Sequence, residues 1–276
     1  MARINAWTPD AIAKFWQYYS HGPEHTYFSK EYGGAIVDIL ARNGLRLSAS
    51  TVLDYGCGIG TLAEHLLRAG ARVAGLDASS DSVDRANERL RYYNGWLGAF
   101  VADAGSGARE LGPFDIVTCL EVVEHLDDTA LPAVLGDIRH LLKPGGTAIF
   151  TTPNNEKLED NFIYCPFCDN VFHHVQHMRS FDRRSLSDVL IKEGFTVDFC
   201  QGVNLLLLTP GFRSTLSEQT GLSGRVGRAT LNIARLAWRC QARVMSAARP
   251  AKLRWFLHPG DNLVALVRSP LLSPDD

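Results

Sequence analysis

At residues 51–61 a short apolar run, Thr51-Val-Leu-Asp-Tyr55, passes without a spacer into Gly56-Cys57-Gly58-Ile59-Gly60. A helical stretch, Thr61–Ala69, follows and stops at Gly70. Few architectures accept a buried strand that hands over to a helix across three glycines. Glycine removes Cβ where the backbone must turn or approach a ligand, and the helix N-terminus offers unpaired N–H groups to an anion. Taken alone, the motif is shared by nicotinamide and flavin enzymes and is also compatible with a tight, ligand-free turn.

The rest of the chain repeats that alternation. Strands are predicted at Arg72–Asp77, Ala99–Ala102, Phe114–Cys119, Thr147–Thr152, Phe195–Cys200 and Asn262–Arg268. Helices are predicted at Asp10–Tyr19, Ile36–Asn43, Asp81–Tyr92, Leu131–Leu142 and Ser185–Glu193. Lys143-Pro-Gly-Gly146 reads as a turn, and about 28 residues after Pro153 read as a loop. Strands alternating with helices imply right-handed crossovers and a mostly parallel sheet with helices on both faces.

Three acids stand at three successive strand ends around the glycine loop. Asp54 lies two residues before Gly56, where a carboxylate can accept from an ammonium group. Asp77, 23 residues after Asp54, is placed to bind both hydroxyls of a ribose. Asp103 ends the third strand, where it can accept from an adenine amino group. A cationic amino-acid nucleoside suits this trio better than a pyrophosphate, and the 56-58-60 glycine spacing also departs from the dinucleotide pattern.

With these residues the sequence resembles the class I S-adenosylmethionine-dependent methyltransferases. Val52–Thr61 is similar to their first motif and Gly75-Leu-Asp77 to their second. Asp115–His125 resembles the motif after the fourth strand, and Leu142–Gly146 the turn into the fifth. The resemblance covers roughly residues 50–200 and the last strand. It implies a Rossmann-like, seven-stranded sheet whose last strand is antiparallel. It also implies that S-adenosylmethionine binds with its methionine end at Asp54, Gly56 and Gly58, its ribose at Asp77 and its adenine at Asp103 and Ala104. Cys57, Gly60, Ala78 and Leu120 complete the expected cofactor pocket.

Glu121-x-x-Glu124-His125 puts two carboxylates and an imidazole at the end of the fourth strand. On a helical turn the three share one face, and such a set could ligate a divalent metal, magnesium or zinc among them. Small-RNA 3′-terminal 2′-O-methyltransferases use a similar set with a distant histidine, and His177 resembles that histidine. Ubiquinone-type O-methyltransferases carry a similar Glu-His pair without needing a metal. The alternative is therefore a pocket lined by Glu121 and Glu124, with His125 as a base or a structural residue. Further on, Cys165-x-x-Cys168 followed by His173 and His174 is a candidate zinc set, with a packed loop or a redox pair as alternatives.

Residues 211–258 carry nine Lys/Arg against one acid, Glu218, a local charge of +8 in a chain of net charge −2. On a helical wheel Arg225, Arg228, Arg235, Arg239 and Arg243 fall within about 80° of one another. This amphipathic insertion, 225–245 above all, suits an anionic membrane surface; a solvated arginine face or a phosphate backbone are the alternatives. Residues 1–45 are expected to form a helical cap or lid, with Gly22-Pro23 and Gly33-Gly34 bracketing a loop. Residues 46–210 with 259–270 are expected to form the cofactor-binding domain. At 46% hydrophobic and 21% charged, the composition excludes a disordered chain or a fibre. No apolar run spans a bilayer, the opening residues have no apolar core of a secretory leader, and the scattered cysteines suit a reducing compartment. A cytoplasmic protein, peripheral at the inner face of the membrane, is expected.

The sequence thus predicts methyl transfer to a hydroxyl oxygen of a small-molecule, lipid-linked or glycan acceptor. His125 is the predicted base or metal ligand, with Glu121, Glu124 and His177 in support. A metal-dependent RNA ribose 2′-O-methyltransferase ranks second, and a catalytically silent S-adenosylmethionine-binding protein is the alternative from another class.

Overall fold

In a computed structural model of the chain, the described residues are 3–4, 7–23, 27–102, 112–208 and 261–271. Strands β2 (Thr51–Tyr55), β3 (Arg72–Asp77), β5 (Phe114–Leu120) and β6 (Leu142–Pro153) are buried along most of their length. Parallel strands covered on both faces require that pattern. With β4 (Trp96–Val101), β9 (Thr196–Val203) and β10 (Asn262–Arg268) they form a seven-stranded sheet in the order β4-β3-β2-β5-β6-β10-β9. The first five are parallel, while β10 runs antiparallel to both β6 and β9. Chain order reverses between β2 and β5, so the loops leaving these two strands diverge and open a crevice at their carboxyl ends. The glycine loop and the Glu121–His125 segment are those two loops.

One face is covered by α2 (Phe28–Arg42) and α3 (Thr61–Arg68), which bury Ile36, Ile39, Leu40, Leu62 and Leu66. The other is covered by α5 (Ala130–Leu141) and α6 (Arg183–Lys192), through Leu135, Ile138, Leu186 and Leu190. Helix α4 (Ser80–Leu90) starts at an N-cap, Ser79, whose hydroxyl accepts from the Ser82 amide. It packs Val83 and Ala86 against Cys57 and Ala99, backing the glycine loop.

Four local expectations change. Helix α2 begins at Phe28, so Gly33-Gly34 lies inside it; burial of Ala35, Ile36, Ile39 and Leu40 against α3 outweighs the helix cost of the two glycines, about 1 kcal/mol each. Lys143-Pro-Gly-Gly146 belongs to β6, as an irregularity where pairing jumps from Phe114–Leu142 to Ile116–Thr147. Strand β4 begins at Trp96, three residues before the predicted start. The segment after Pro153 contains an antiparallel hairpin, β7 (Phe162–Cys165) and β8 (Asn170–His173). A short β1 (Arg3–Ile4) pairs in parallel with β8.

Helix α1 (Pro9–Ser20) follows an N-cap at Thr8, as the Thr-Pro signal predicts. Trp7, just before it, meets Phe15 and the hairpin residue Phe172 edge-on, at 5.3 and 5.8 Å between ring centroids. The first residues and the hairpin therefore build one roof over the crevice. Among the described residues, no helix is long and apolar enough to cross a membrane. The insertion 211–258, with its arginine stripe, and the Asp103–Ala104 pair lie outside the described residues.

Phe150, fully buried in β6, meets Phe195 at 6.0 Å between ring centroids. Phe150→Ala should lower the unfolding free energy by about 3–5 kcal/mol, read as a fall in the urea midpoint at unchanged slope.

Candidate active site

The glycine loop turns sharply because Gly56, Gly58 and Gly60 all have positive φ. At Gly56 a Cβ would lie 2.4 Å from Cγ2 of Val122, so this loop and the loop after β5 fit together only through a missing side chain. A Cβ at Gly58 would meet the ring of Tyr27, which comes down from the start of α2. Burial pushes the Tyr27 hydroxyl up to about 12, so the ring is neutral where it lies over the loop.

Asp54 is enclosed in β2. Its Oδ1 accepts from the Thr118 hydroxyl at 2.8 Å, while Oδ2 is buried with no hydrogen-bond partner among the described residues. Burial raises its pKa to about 7, against the pull of Thr118. A buried acceptor without a donor is costly, and an incoming ammonium group removes that cost. Asp77 holds the loop: its Oδ2 accepts from the Gly58 amide and its Oδ1 from the Ser79 amide, at 2.8 and 2.9 Å. Each carboxylate oxygen keeps a lone pair for a further donor such as a ribose hydroxyl. The residues present thus fit the cofactor implied by the resemblance. Cys57 is buried behind the loop, Leu120 closes β5 and Ala78 is exposed just after β3.

Beyond β5 the chain does not make the helical turn expected of Glu121–His125. Glu121 takes the left-handed region at φ 52, and a 3-10 turn, Val123–His125, follows. A non-glycine residue held there costs of order 1 kcal/mol. The three side chains therefore meet through tertiary packing, not along one helical face. The Thr151 hydroxyl donates to Glu121 Oε1 at 2.7 Å. Glu124 is fully buried, and neither of its carboxyl oxygens has a hydrogen-bond partner among the described residues. Burial raises both carboxyls, and Glu121 raises Glu124 further, so without a cation the pair retains a proton.

His125 Nδ1 faces the Gln176 carbonyl at 3.2 Å. A carbonyl only accepts, so the proton is on Nδ1 and the Nε2 lone pair, 4.0 Å from Glu124 Oε1, is free. Burial holds His125 down to about 3, with His177 adding to the effect, so the ring is neutral. Gln176, itself buried at φ 64, also donates its amide to the His125 carbonyl and accepts from the Trp16 indole at 2.9 Å. Trp16 completes the clamp by meeting the His125 ring edge-on at 4.8 Å.

His177 joins from the segment after the hairpin. One ligand atom each of Glu124, His125 and His177 lies within 4.8 Å of the others, and Glu156, His173 and His177 form a second such group. The first group, with Glu121 beside it, gathers carboxyl and imidazole ligand atoms with no lysine or arginine among them. That chemistry fits a divalent cation.

The candidate zinc set does not assemble. Across the hairpin Cys165 pairs with Asn170 while His173 pairs with Phe162, so Cys165 and His173 stand at opposite ends, about 10 Å apart. His173 bonds Glu156, His174 bonds the Asn161 carbonyl, and Cys168 is exposed at the hairpin tip. Glu156, Gln176, Thr118 and Thr151 are site residues that the sequence reading missed. Thr151 could have been found by its place on β6 beside the end of β5; the others carry no motif.

The profile of a family described as Methyltransferase domain matches residues 28–198. The ubiquinone biosynthesis O-methyltransferase of Serratia proteamaculans is 39% identical over 107 residues, 38% of this chain and 43% of that protein. Its counterpart from Methylococcus capsulatus is 40% identical over 113 residues, 39% of this chain and 45% of that protein. The chain thus matches less than half the length of these curated relatives. Among solved structures, the 1,6-didemethyltoxoflavin-N1-methyltransferase of Burkholderia thailandensis, with bound 1,6-didemethyltoxoflavin and S-adenosylhomocysteine, superposes with a TM-score of 0.56 at 16% identity. That match covers 96% of this chain and 92% of the other, and reports a shared fold.

Asp77→Ala should abolish S-adenosylhomocysteine binding in calorimetry, because it removes the acceptor that holds the Gly58 amide. Asp54 gives a pH dependence. It binds its proton more tightly folded than unfolded, so the ligand-free chain should lose stability as pH rises from 3.8 to about 7. An ammonium ligand needs the ionised form, so affinity should fall roughly tenfold per pH unit below the carboxyl's pKa. Asp54→Asn should flatten that slope.

Proposed function

We propose that this chain, which belongs to the class I S-adenosylmethionine-dependent methyltransferases, transfers a methyl group to a hydroxyl oxygen of a small-molecule acceptor with the help of a divalent cation. The observation that carries the reading is the cluster of carboxyl and imidazole groups, Glu121, Glu124, His125 and His177, beside the glycine loop. S-adenosylmethionine would supply an electrophilic sulfonium methyl. Asp54, Gly56 and Gly58 would hold its methionine end and Asp77 its ribose, with Asp103 and Ala104 proposed for the adenine. A divalent cation held by Glu121, Glu124, His125 and His177 would lower the pKa of an acceptor hydroxyl.

The chain's own contribution is mostly geometric. Transfer to a sulfonium methyl needs an in-line approach, so the acceptor must be held and stripped of water before its proton leaves. Trp16, Gln176 and the hairpin form the wall that would do this, and residues 1–45 would act as the lid. Neutral His125, with Nε2 unprotonated, is suited to ligate the cation, while the burial that holds its pKa at about 3 opposes a role as the base.

The relatives named for ubiquinone biosynthesis support O-methylation of a small molecule. A lipid-linked or glycan acceptor is the finer reading. The arginine stripe at 225–245 would bring the enzyme to the anionic inner face of a membrane, where such an acceptor is concentrated.

Experiments on label transfer, cation dependence and membrane contact test this. Radiolabelled methyl from S-adenosylmethionine, offered to a cell extract, should enter the lipid or soluble pool; label in RNA would move the acceptor to a ribose hydroxyl, and no label would favour a silent binder. Chelation should stop turnover, and His125→Ala should cost about a hundredfold or more in kcat. Glu124→Gln should remove divalent binding yet raise the melting temperature of the metal-free chain, because it removes a buried carboxyl with no partner. Sedimentation with anionic liposomes should carry the protein down; its absence would remove the membrane contact.

A further inference from the structure

We infer that Glu156 is a positioning residue: it fixes the tautomer of His177, and His173 is the anchor that holds Glu156 in place. This rests on the reading that the cluster of Glu121, Glu124, His125 and His177 holds a divalent cation.

Glu156 follows β6 and receives three donors. Asn161 donates its side-chain amide to Oε1 at 2.8 Å, His173 Nε2 faces the same oxygen at 3.2 Å, and His177 Nδ1 faces Oε2 at 2.5 Å. The Asn161 amide and His173 Nε2 both aim at Oε1, and a carboxyl oxygen that receives two donors is an acceptor, so Glu156 is the receiving group and His177 presents its Nδ1–H to Oε2.

His173 looks at first like a ligand of a second metal, since it lies with Glu156 and His177 in a group of the right size. Its other nitrogen excludes that. Nδ1 accepts from the backbone amides of Val175 and His177, at 3.4 and 3.1 Å. A ring that accepts at Nδ1 carries its proton on Nε2, where a metal would have to displace it. His173 is therefore a donor held by the backbone, and it stacks on His177 at 4.6 Å and 19°.

The consequence falls on His177. With Nδ1–H committed to Glu156, Nε2 is the nitrogen left unprotonated for the cluster, and the ring meets His125 edge-on at 4.8 Å. A carboxylate behind a ligating imidazole fixes its orientation and makes the free nitrogen a better donor to metal. Glu156 thus acts on the site without entering it.

The test combines calorimetric titration with Mn²⁺ and long-range proton–nitrogen spectra of the histidine rings in the metal-free chain. Glu156→Gln should weaken Mn²⁺ binding by about ten- to a hundredfold. It should leave S-adenosylhomocysteine affinity unchanged, and Glu156→Asp should recover part of the loss. In the unsubstituted protein the His177 ring should carry its proton on Nδ1, and in Glu156→Gln on Nε2. Unchanged Mn²⁺ affinity in the variant, or an Nε2–H tautomer of His177 in the unsubstituted protein, would overturn the proposal. If the unsubstituted chain binds no Mn²⁺, the cation reading fails, and the tautomer shift alone decides whether Glu156 sets His177. Because the spectrum of the unsubstituted protein needs no variant, a folding defect in Glu156→Gln leaves the decisive measurement intact.

Discussion

Carboxyl groups drawn out of water at the carboxyl ends of β2, β3 and β5 govern the rest of the architecture. Burial favours the protonated form of Asp54, Asp77, Glu121 and Glu124 there. The fold supplies Asp77 with backbone amides, and Asp54 and Glu121 with one hydroxyl each, yet among the described residues no well-formed hydrogen bond reaches the Glu124 carboxyl. Burying carboxyls without cations opposes folding, so the sheet and its two faces of apolar helices must outweigh it. The balance is restored when positive ligands arrive. Cofactor ammonium and divalent cation would enter places where the protein already carries the cost of burying the carboxyls.

Two loops deliver those groups and depend on each other. Gly56 and Val122 pack against each other across the reversal in strand order, so a side chain at Gly56 would push the cofactor loop away from the turn that carries Glu121 and Glu124. The positive φ at Glu121 belongs to the same constraint: the strand must end and its carboxyl must still reach Thr151. The strained backbone of Glu121 and the buried carboxyls thus lie together at one end of the sheet.

The parallel half of the fold was legible because its signals are local. A strand that is apolar throughout, a glycine loop and a capped helix each fit within a dozen residues, and β2, β3 and α3 lie where the periodicity puts them. The roof was not legible for the opposite reason. Strands β7 and β8 have four residues each, are half exposed, and flank a Cys-Pro-Phe-Cys turn, so their pattern resembles a loop. Glu156 lies in a polar run, Asn154-Asn-Glu-Lys157, where one more acid gives no contrast, and its histidine partners come 17 and 21 residues later. The cysteine and histidine spacing suggested a zinc site, but hairpin register separates the two halves. Gln176 was hidden by type: an amide shows its role only when its acceptor and donor both find partners.

Strand β10 sits between β6 and β9, yet it follows β9 by 58 residues of chain, from Val203 to Asn262. On the ribosome, β6 and β9 therefore emerge with a gap between them that only a later segment can fill. At about 5–20 residues per second that gap stays open for several seconds. Throughout it, two strand edges present unpaired amides and carbonyls, with the apolar faces of α5 and α6 nearby. Nascent chains of this protein are thus exposed to mispairing for longer than its modest length suggests. How much of the chain reaches the finished sheet therefore depends on what shields those open edges until β10 arrives.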